Sequence, residues 1–125
     1  QVLGIEADDY LVKAAQENAA RNNVANAEFR IGNLYEEVQP PVWHGFTFNK
    51  LLLDPPRSGA AEPINELPDD GSGPERIVYV SCNPATLARD ADVLVNKKGY
   101  RMIKAGIMDM FPHTSHVESI ALFVR

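Results

Sequence analysis

Ile77-Val78-Tyr79-Val80 runs without a break into Ser81-Cys82-Asn83-Pro84, and apolar residues then recur at helical spacing to about residue 96. β-branched and aromatic residues in an unbroken run favour a strand. Asparagine suits the cap of a helix, and proline suits its first turn. A strand that turns at once into a helix is half of a β-α-β unit, and few folds accommodate it. The same sentence is written earlier in the chain. Val2-Leu3-Gly4-Ile5 reads as a short buried strand ending in Glu6, and Asp8 or Asp9 can cap a helix that Asn22-Asn23 closes. On that helix Leu11, Ala14, Ala15, Asn18 and Ala19 fall on one side. Residues 27–31 alternate as a strand does, and residues 49–53 form another that stops at Asp54 before two prolines.

Residues 55–75 hold five prolines and three glycines, which predicts a loop with one helical turn near residues 60–67. On the helix after Cys82 the inward residues should be Leu87, Ala88, Ala91, Leu94 and Val95. Two more strands are expected near residues 101–107 and 117–124, antiparallel because the stretch between them is short and not helical. The expected architecture is therefore an α/β sandwich with a largely parallel sheet. In such sheets ligands bind beyond the carboxyl ends of the strands. Glu6, Asp54 and Cys82 each follow a predicted strand, and Asn33 lies just past another. Polar groups collect at one edge, and that is the first reason to read an enzyme.

Composition narrows the class. A chain of 125 residues, 45% hydrophobic, makes one domain at most. No run approaches the ~20 apolar residues of a membrane span, so no membrane partner is expected and a cytoplasmic setting follows by default. A single cysteine, Cys82, excludes an internal disulfide framework and cannot alone hold zinc or an iron–sulfur cluster. The net charge of −5 argues against a stand-alone nucleic-acid binder. The charge is uneven: residues 1–75 sum to −8 and residues 76–125 to +3, so an RNA would meet less repulsion at the second end.

Each candidate has a plain reading beside the chemical one. Glu6 can accept both hydroxyls of a nucleotide ribose, or it is a solvated charge beside a helix start. Asp54 is either a carboxylate on a stiff diproline turn, suited to a site, or a strand terminator. Cys82 is by base rate a small buried hydrophobe. Its position between a strand end and a helix N-terminus, where negative charge is favoured, instead suits a nucleophile. Phe111-Pro112-His113-Thr114-Ser115-His116-Val117-Glu118 is the densest polar cluster. A strand entering at Val117 would splay His113, His116 and Glu118, so no metal site is expected there. Glu118 at a strand mouth reads as a general base, or as an exposed strand charge. The histidines position substrate or brace the loop.

Three runs together resemble the RNA uracil-5-methyltransferases. They are Leu53-Asp54-Pro55-Pro56-Arg57-Ser58-Gly59, the stretch from Ile77 through Asn83-Pro84-Ala85-Thr86-Leu87-Ala88-Arg89-Asp90, and Asp109-Met110-Phe111-Pro112-His113-Thr114 with His116 and Glu118-Ser119. The last two look most like the bacterial branch that acts on large-subunit ribosomal RNA. The resemblance implies a Rossmann-like class I methyltransferase sandwich, S-adenosyl-L-methionine as cofactor, and RNA as partner. It implies Cys82 as nucleophile and Glu118 as base, Glu6 at the cofactor's ribose, Asn33 near its adenine and Asp54 where cofactor and base meet. It also implies that the 125 residues are the C-terminal part of a catalytic domain, truncated so that the first strand and its glycine-rich loop lie upstream. An RNA-binding region and, in many members, an iron–sulfur centre would lie upstream too, with no cluster ligands in this chain. Without that first strand, the two flanking strands could pair directly or two chains could meet along open edges. The isolated piece is expected to bind cofactor weakly. The competing readings are a methyltransferase for transfer RNA or another nucleobase, and a non-catalytic RNA-associated scaffold. Adenine-directed enzymes usually carry an aromatic residue where this chain has Arg57.

Overall fold

The computed structural model describes residues 1–36 and 40–125, which fall into two compact units, 1–47 and 48–125. In the first, β1 (Val2–Glu6) and β2 (Ala27–Ile31) pair in parallel with α1 (Asp9–Arg21) between them in sequence. Asp8 caps α1: its Oδ1 accepts from Tyr10 N at 2.8 Å and Leu11 N at 3.3 Å. Asn22 closes the helix, and Asn23 takes the left-handed conformation that asparagine tolerates.

Two expectations for this unit need correction. β1 is not buried, since none of its residues is more than partly covered. A two-stranded sheet with one helix on it leaves the rest of its surface open. The inward face of α1 is also displaced. Val12 is its buried residue, with Ala15 and Ala19 half-buried, whereas Leu11 is 50% exposed and Asn18 is exposed. Val12 with Ala15 and Ala19 satisfies the 3–4–7 spacing as well as Leu11 does, and only packing chooses between the stripes.

The second unit is built on a four-stranded sheet in the order β3-β4-β6-β5. β3 (Lys50–Leu53) lies parallel to β4 (Arg76–Ser81), while β6 (Glu118–Val124) runs antiparallel to both β4 and β5 (Arg101–Met108). The expected antiparallel pair is present. β1 and β3 belong to different sheets, so these two strands do not pair with each other. Alternation along the strands sends Leu53, Ile77, Tyr79, Ala121 and Phe123 into one core with Ile64, Leu94 and Tyr100. α2 (Ala61–Asn65) and α3 (Pro84–Asn96) contribute Ile64 and Leu94 to it.

α3 keeps its expected bounds but not its expected face. Leu87 and Ala91 pack against the core, but Ala88 and Val95 are exposed, and Asp90 is buried instead. Lys98, just beyond the helix, is buried as well, its Nζ donating to Asn65 O at 2.8 Å and Leu67 O at 2.5 Å. Burying a charged group is tolerable only with partners of this kind. The bond to Leu67 and an ion pair with Asp69 at 2.6 Å anchor the loop after α2.

Candidate active site

In the second unit three strand ends meet. Asp54 is the first residue past β3, and Leu53 before it pairs with Tyr79. Cys82 is the first residue past β4, and Glu118 opens β6. The β4–β6 ladder ends with Ser81 opposite Ser119. Extending that register by one residue sets Cys82 across from Glu118, and opposed residues on antiparallel strands point to the same face. Thirty-five residues of chain separate the two, yet each adjoins the last pair of the ladder, Cys82 beside Ser81 and Glu118 beside Ser119. Cys82 and Glu118 are half-buried and Asp54 is exposed, so all three remain reachable.

Cys82 is followed at once by the cap of α3. Asn83 Oδ1 accepts from Ala85 N at 3.1 Å, and Pro84 opens the helix without needing a donor. Ser81 steadies the turn from the other side, its Oγ accepting from Asn83 N at 3.1 Å and donating to Asn83 O at 3.0 Å. The thiol therefore stands between a strand end and the positive end of a helix, as its sequence context predicts. The helix that follows Cys82 carries a buried polar knot. Asp90 Oδ2 accepts from Tyr79 Oη at 2.6 Å and from Ala60 N at 2.7 Å, while Arg89 Nε donates to Asp90 Oδ1 at 2.8 Å. Burial, then the hydrogen bond to Asp90, pushes the Tyr79 hydroxyl well above its ordinary value. The bond to Asp90 also raises Arg89 further from its ordinary value. Sequence reasoning missed Asp90 and Tyr79 as a polar pair. Their helical and strand spacing was visible, but the Ala60 N–H that completes the set comes from thirty residues away.

The segment 109–116 closes the same end of the sheet. Thr114 Oγ1 donates to Phe111 O at 2.7 Å and accepts from His116 N at 3.2 Å, and the rings of Phe111 and His116 meet edge to face at 6.3 Å. His116 thus braces the loop. His113 sits at φ 66°, a conformation uncommon for any residue but glycine and asparagine. Among the described residues no group of three histidine, cysteine or carboxylate side chains is placed to hold a metal.

Glu6 and Asn33 lie in the first unit, together at the carboxyl end of the β1–β2 pair. Gly32 N donates to Glu6 O at 3.0 Å. Glu6 is exposed, and its Oε1 accepts from Asp8 N at 3.0 Å. That bond fixes the carboxylate at the turn, and a carboxylate has further lone pairs to offer a diol. Glu6 fits the ribose role implied by the resemblance. Asn33 is occupied by its own turn, with Nδ2 donating to Glu36 Oε1 at 2.8 Å and Oδ1 accepting from Tyr35 N at 3.1 Å. Those bonds shape the turn after β2.

Known proteins resemble this chain over its whole length. A protein of Thiobacillus denitrificans named 23S rRNA (uracil(1939)-C(5))-methyltransferase RlmD is 58% identical over 124 residues, 99% of this chain and 28% of that protein. The protein of the same name from Legionella pneumophila is 53% identical over 125 residues, the whole chain and again 28% of the relative. The chain thus spans little more than a quarter of the length of the curated relatives it matches. Among solved structures, Pyrococcus abyssi tRNA (uracil-54, C5)-methyltransferase in complex with S-adenosyl-L-homocysteine superposes with a TM-score of 0.76 at 35% identity, covering 99% of this chain and 29% of that one. A putative RNA methyltransferase of Pyrococcus horikoshii shares the fold at a TM-score of 0.67 and 15% identity. The mixed α/β arrangement, parallel at first and antiparallel at its end, is thus the Rossmann-like fold of S-adenosylmethionine-dependent methyltransferases. The tRNA (Uracil-5-)-methyltransferase family matches residues 1–125 without remainder, and the chain belongs to that family.

Proposed function

We propose that the protein carrying this chain methylates carbon 5 of a uridine in large-subunit ribosomal RNA, using S-adenosyl-L-methionine. The observation that supports the reading is the β4–β6 register, which ends with Ser81 opposite Ser119 and so leaves Cys82 just past one strand end and Glu118 at the start of the other. Ribosomal RNA is preferred to transfer RNA because the relatives named for 23S rRNA are 53–58% identical, against 35% for the one named for transfer RNA.

Carbon 5 of neutral uracil is a poor nucleophile, so the ring needs activation. Cys82 as thiolate attacks carbon 6, forming a C–S bond and pushing electron density to carbon 5 as an enolate. The cofactor, when bound, supplies an electrophilic methyl group on a sulfonium. Glu118 removes the carbon 5 proton after methylation, and the electron pair left behind expels the Cys82 thiolate. Glu6 binds the cofactor's ribose, Asn33 borders its adenine, and Asp54 stands where cofactor and base meet. The target base leaves its stack to reach such a pocket. In this reading residues 1–125 are the C-terminal part of the catalytic domain, with regions that grip RNA elsewhere in the protein. The isolated 125 residues do not support turnover.

RNA carrying 5-fluorouridine tests the chemistry. Fluorine at carbon 5 cannot leave as a proton, so the full-length protein with cofactor should accumulate a covalent adduct visible by intact mass. An adduct on Cys82 that disappears in Cys82→Ala is the expected result. Absence of any adduct, with RNA and cofactor binding shown separately, would remove carbon 5 chemistry.

A further inference from the structure

The segment that leaves β3 through Asp54-Pro55-Pro56 folds back onto α3 and is gripped there by its main chain. Arg57 O accepts from Asn83 Nδ2 at 3.1 Å and lies 3.3 Å from Thr86 Oγ1, whose single proton is shared with Asn83 O at 3.0 Å. Ser58 O accepts from Arg89 Nη2 at 2.9 Å, and Ala60 N donates to the buried Asp90 Oδ2 at 2.7 Å. Between these anchors Gly59 adopts φ +89°, and a Cβ there would stand 2.5 Å from Arg89 Nη2 and 2.6 Å from Asp90 Oδ2. Only glycine lets the loop come this close. The partners sit at positions 83, 86, 89 and 90, one line along the first two turns of the helix that begins directly after Cys82. Because they hold backbone atoms, they fix the loop's path without using the side chains of Arg57 and Ser58.

We propose that Thr86, Arg89 and Asp90 are positioning residues for methyl transfer: by clamping the main chain at 57, 58 and 60 onto the helix that follows Cys82, they set Asp54 relative to the nucleophile. The proposal rests on the function argued above and adds the device that joins its cofactor side to its base side. A prolyl-stiffened loop anchored at β3 and again at α3 has little freedom left. Released at one end, it presents Asp54 in many positions, and binding then has to select among them.

The test uses the full-length protein and S-adenosyl-L-methionine affinity measured by calorimetry, with methylation of uridine-containing RNA followed separately. Thr86→Val removes one hydroxyl at nearly constant shape. Arg89→Met removes a guanidinium that is itself half exposed but also pairs with the buried Asp90, so its Tm is measured beside its affinity and compared with that of Lys98→Met. Each should raise the cofactor Kd at least fivefold while leaving RNA affinity within twofold, and Thr86→Ser should restore the wild-type Kd. Lys98→Met serves as the control, because it loosens the opposite end of α3 and lowers Tm without touching the 57–60 segment. Wild-type cofactor affinity in both Thr86→Val and Arg89→Met would overturn the clamp, as would an equal loss of affinity in Lys98→Met. A wild-type protein that binds cofactor but does not methylate uridine would instead overturn the function, and the affinity comparison would still decide the clamp.

Discussion

Asp90 keeps a carboxylate 1% exposed and compensates it with donors from three directions, Tyr79 Oη, Ala60 N and Arg89 Nε. Removing one donor leaves a buried acceptor short of a partner, which costs about 1–3 kcal/mol. Tyr79→Phe should therefore lower stability by about that amount in urea unfolding at pH 7. The same residue gives a signature in base. The Tyr79 hydroxyl is raised in the folded state from an ordinary value of 10.0, so its contribution is complete below pH 10 and is lost as the pH climbs toward the folded-state value. Stability of the wild type should fall above pH 10, and Tyr79→Phe should flatten that fall. Some slope should persist, since burial raises Tyr100 as well. Cys82 belongs to a different class. It is half-buried, and under the proposed function Cys82→Ala in the full-length protein should abolish methylation while moving stability by less than about 1 kcal/mol.

The helices show where a sequence can be read and where it cannot. Their ends were legible because caps are local: Asp8 bonds two and three residues ahead, and Asn83 two ahead. Asp8→Ala should cost about 1 kcal/mol, measurable as a lowered urea midpoint at unchanged slope. Their faces were less legible. Val12 is inward where Leu11 was expected, and Asp90 is inward where Ala88 and Val95 were expected. Apolar periodicity ranks residues by what they are, whereas a face is chosen by what the neighbouring element presents. For Asp90 that neighbour is a main-chain N–H on a loop near residue 60, which no pattern within α3 encodes. The candidate site follows the same division. Cys82, Asp54 and Glu118 could be picked out as residues at strand ends, but the loop clamp that connects two of those ends could not.

At the scale of the molecule, the succession of strands and their directions were legible, and their division between two sheets was not. The alternation of strand and helix predicted parallel pairing, and the short final connection predicted the antiparallel pair. Nothing local distinguishes one six-stranded sheet from the two-stranded and four-stranded sheets observed. The candidate residues divide with them, Glu6 and Asn33 in one unit and Asp54, Cys82 and Glu118 in the other. The isolated 125 residues are accordingly expected to bind S-adenosyl-L-methionine poorly, and micromolar affinity by calorimetry would contradict that.

The β4–β6 register has a consequence for the kinds of genetic change this chain can absorb. A substitution within residues 118–124 alters one contact and leaves the ladder in place. A single-residue deletion there moves every later side chain to the opposite face, or else drags Glu118 away from its place across from Cys82. A two-residue deletion restores the faces but shortens the reach. The strand should therefore refuse changes of length even at positions such as Ile120 and Leu122 that lie outside the core and the candidate site, where it tolerates changes of letter. The exposed loop around residues 70–72 lies outside every helix and strand, and a library of random insertions would find survivors there and none between 118 and 124.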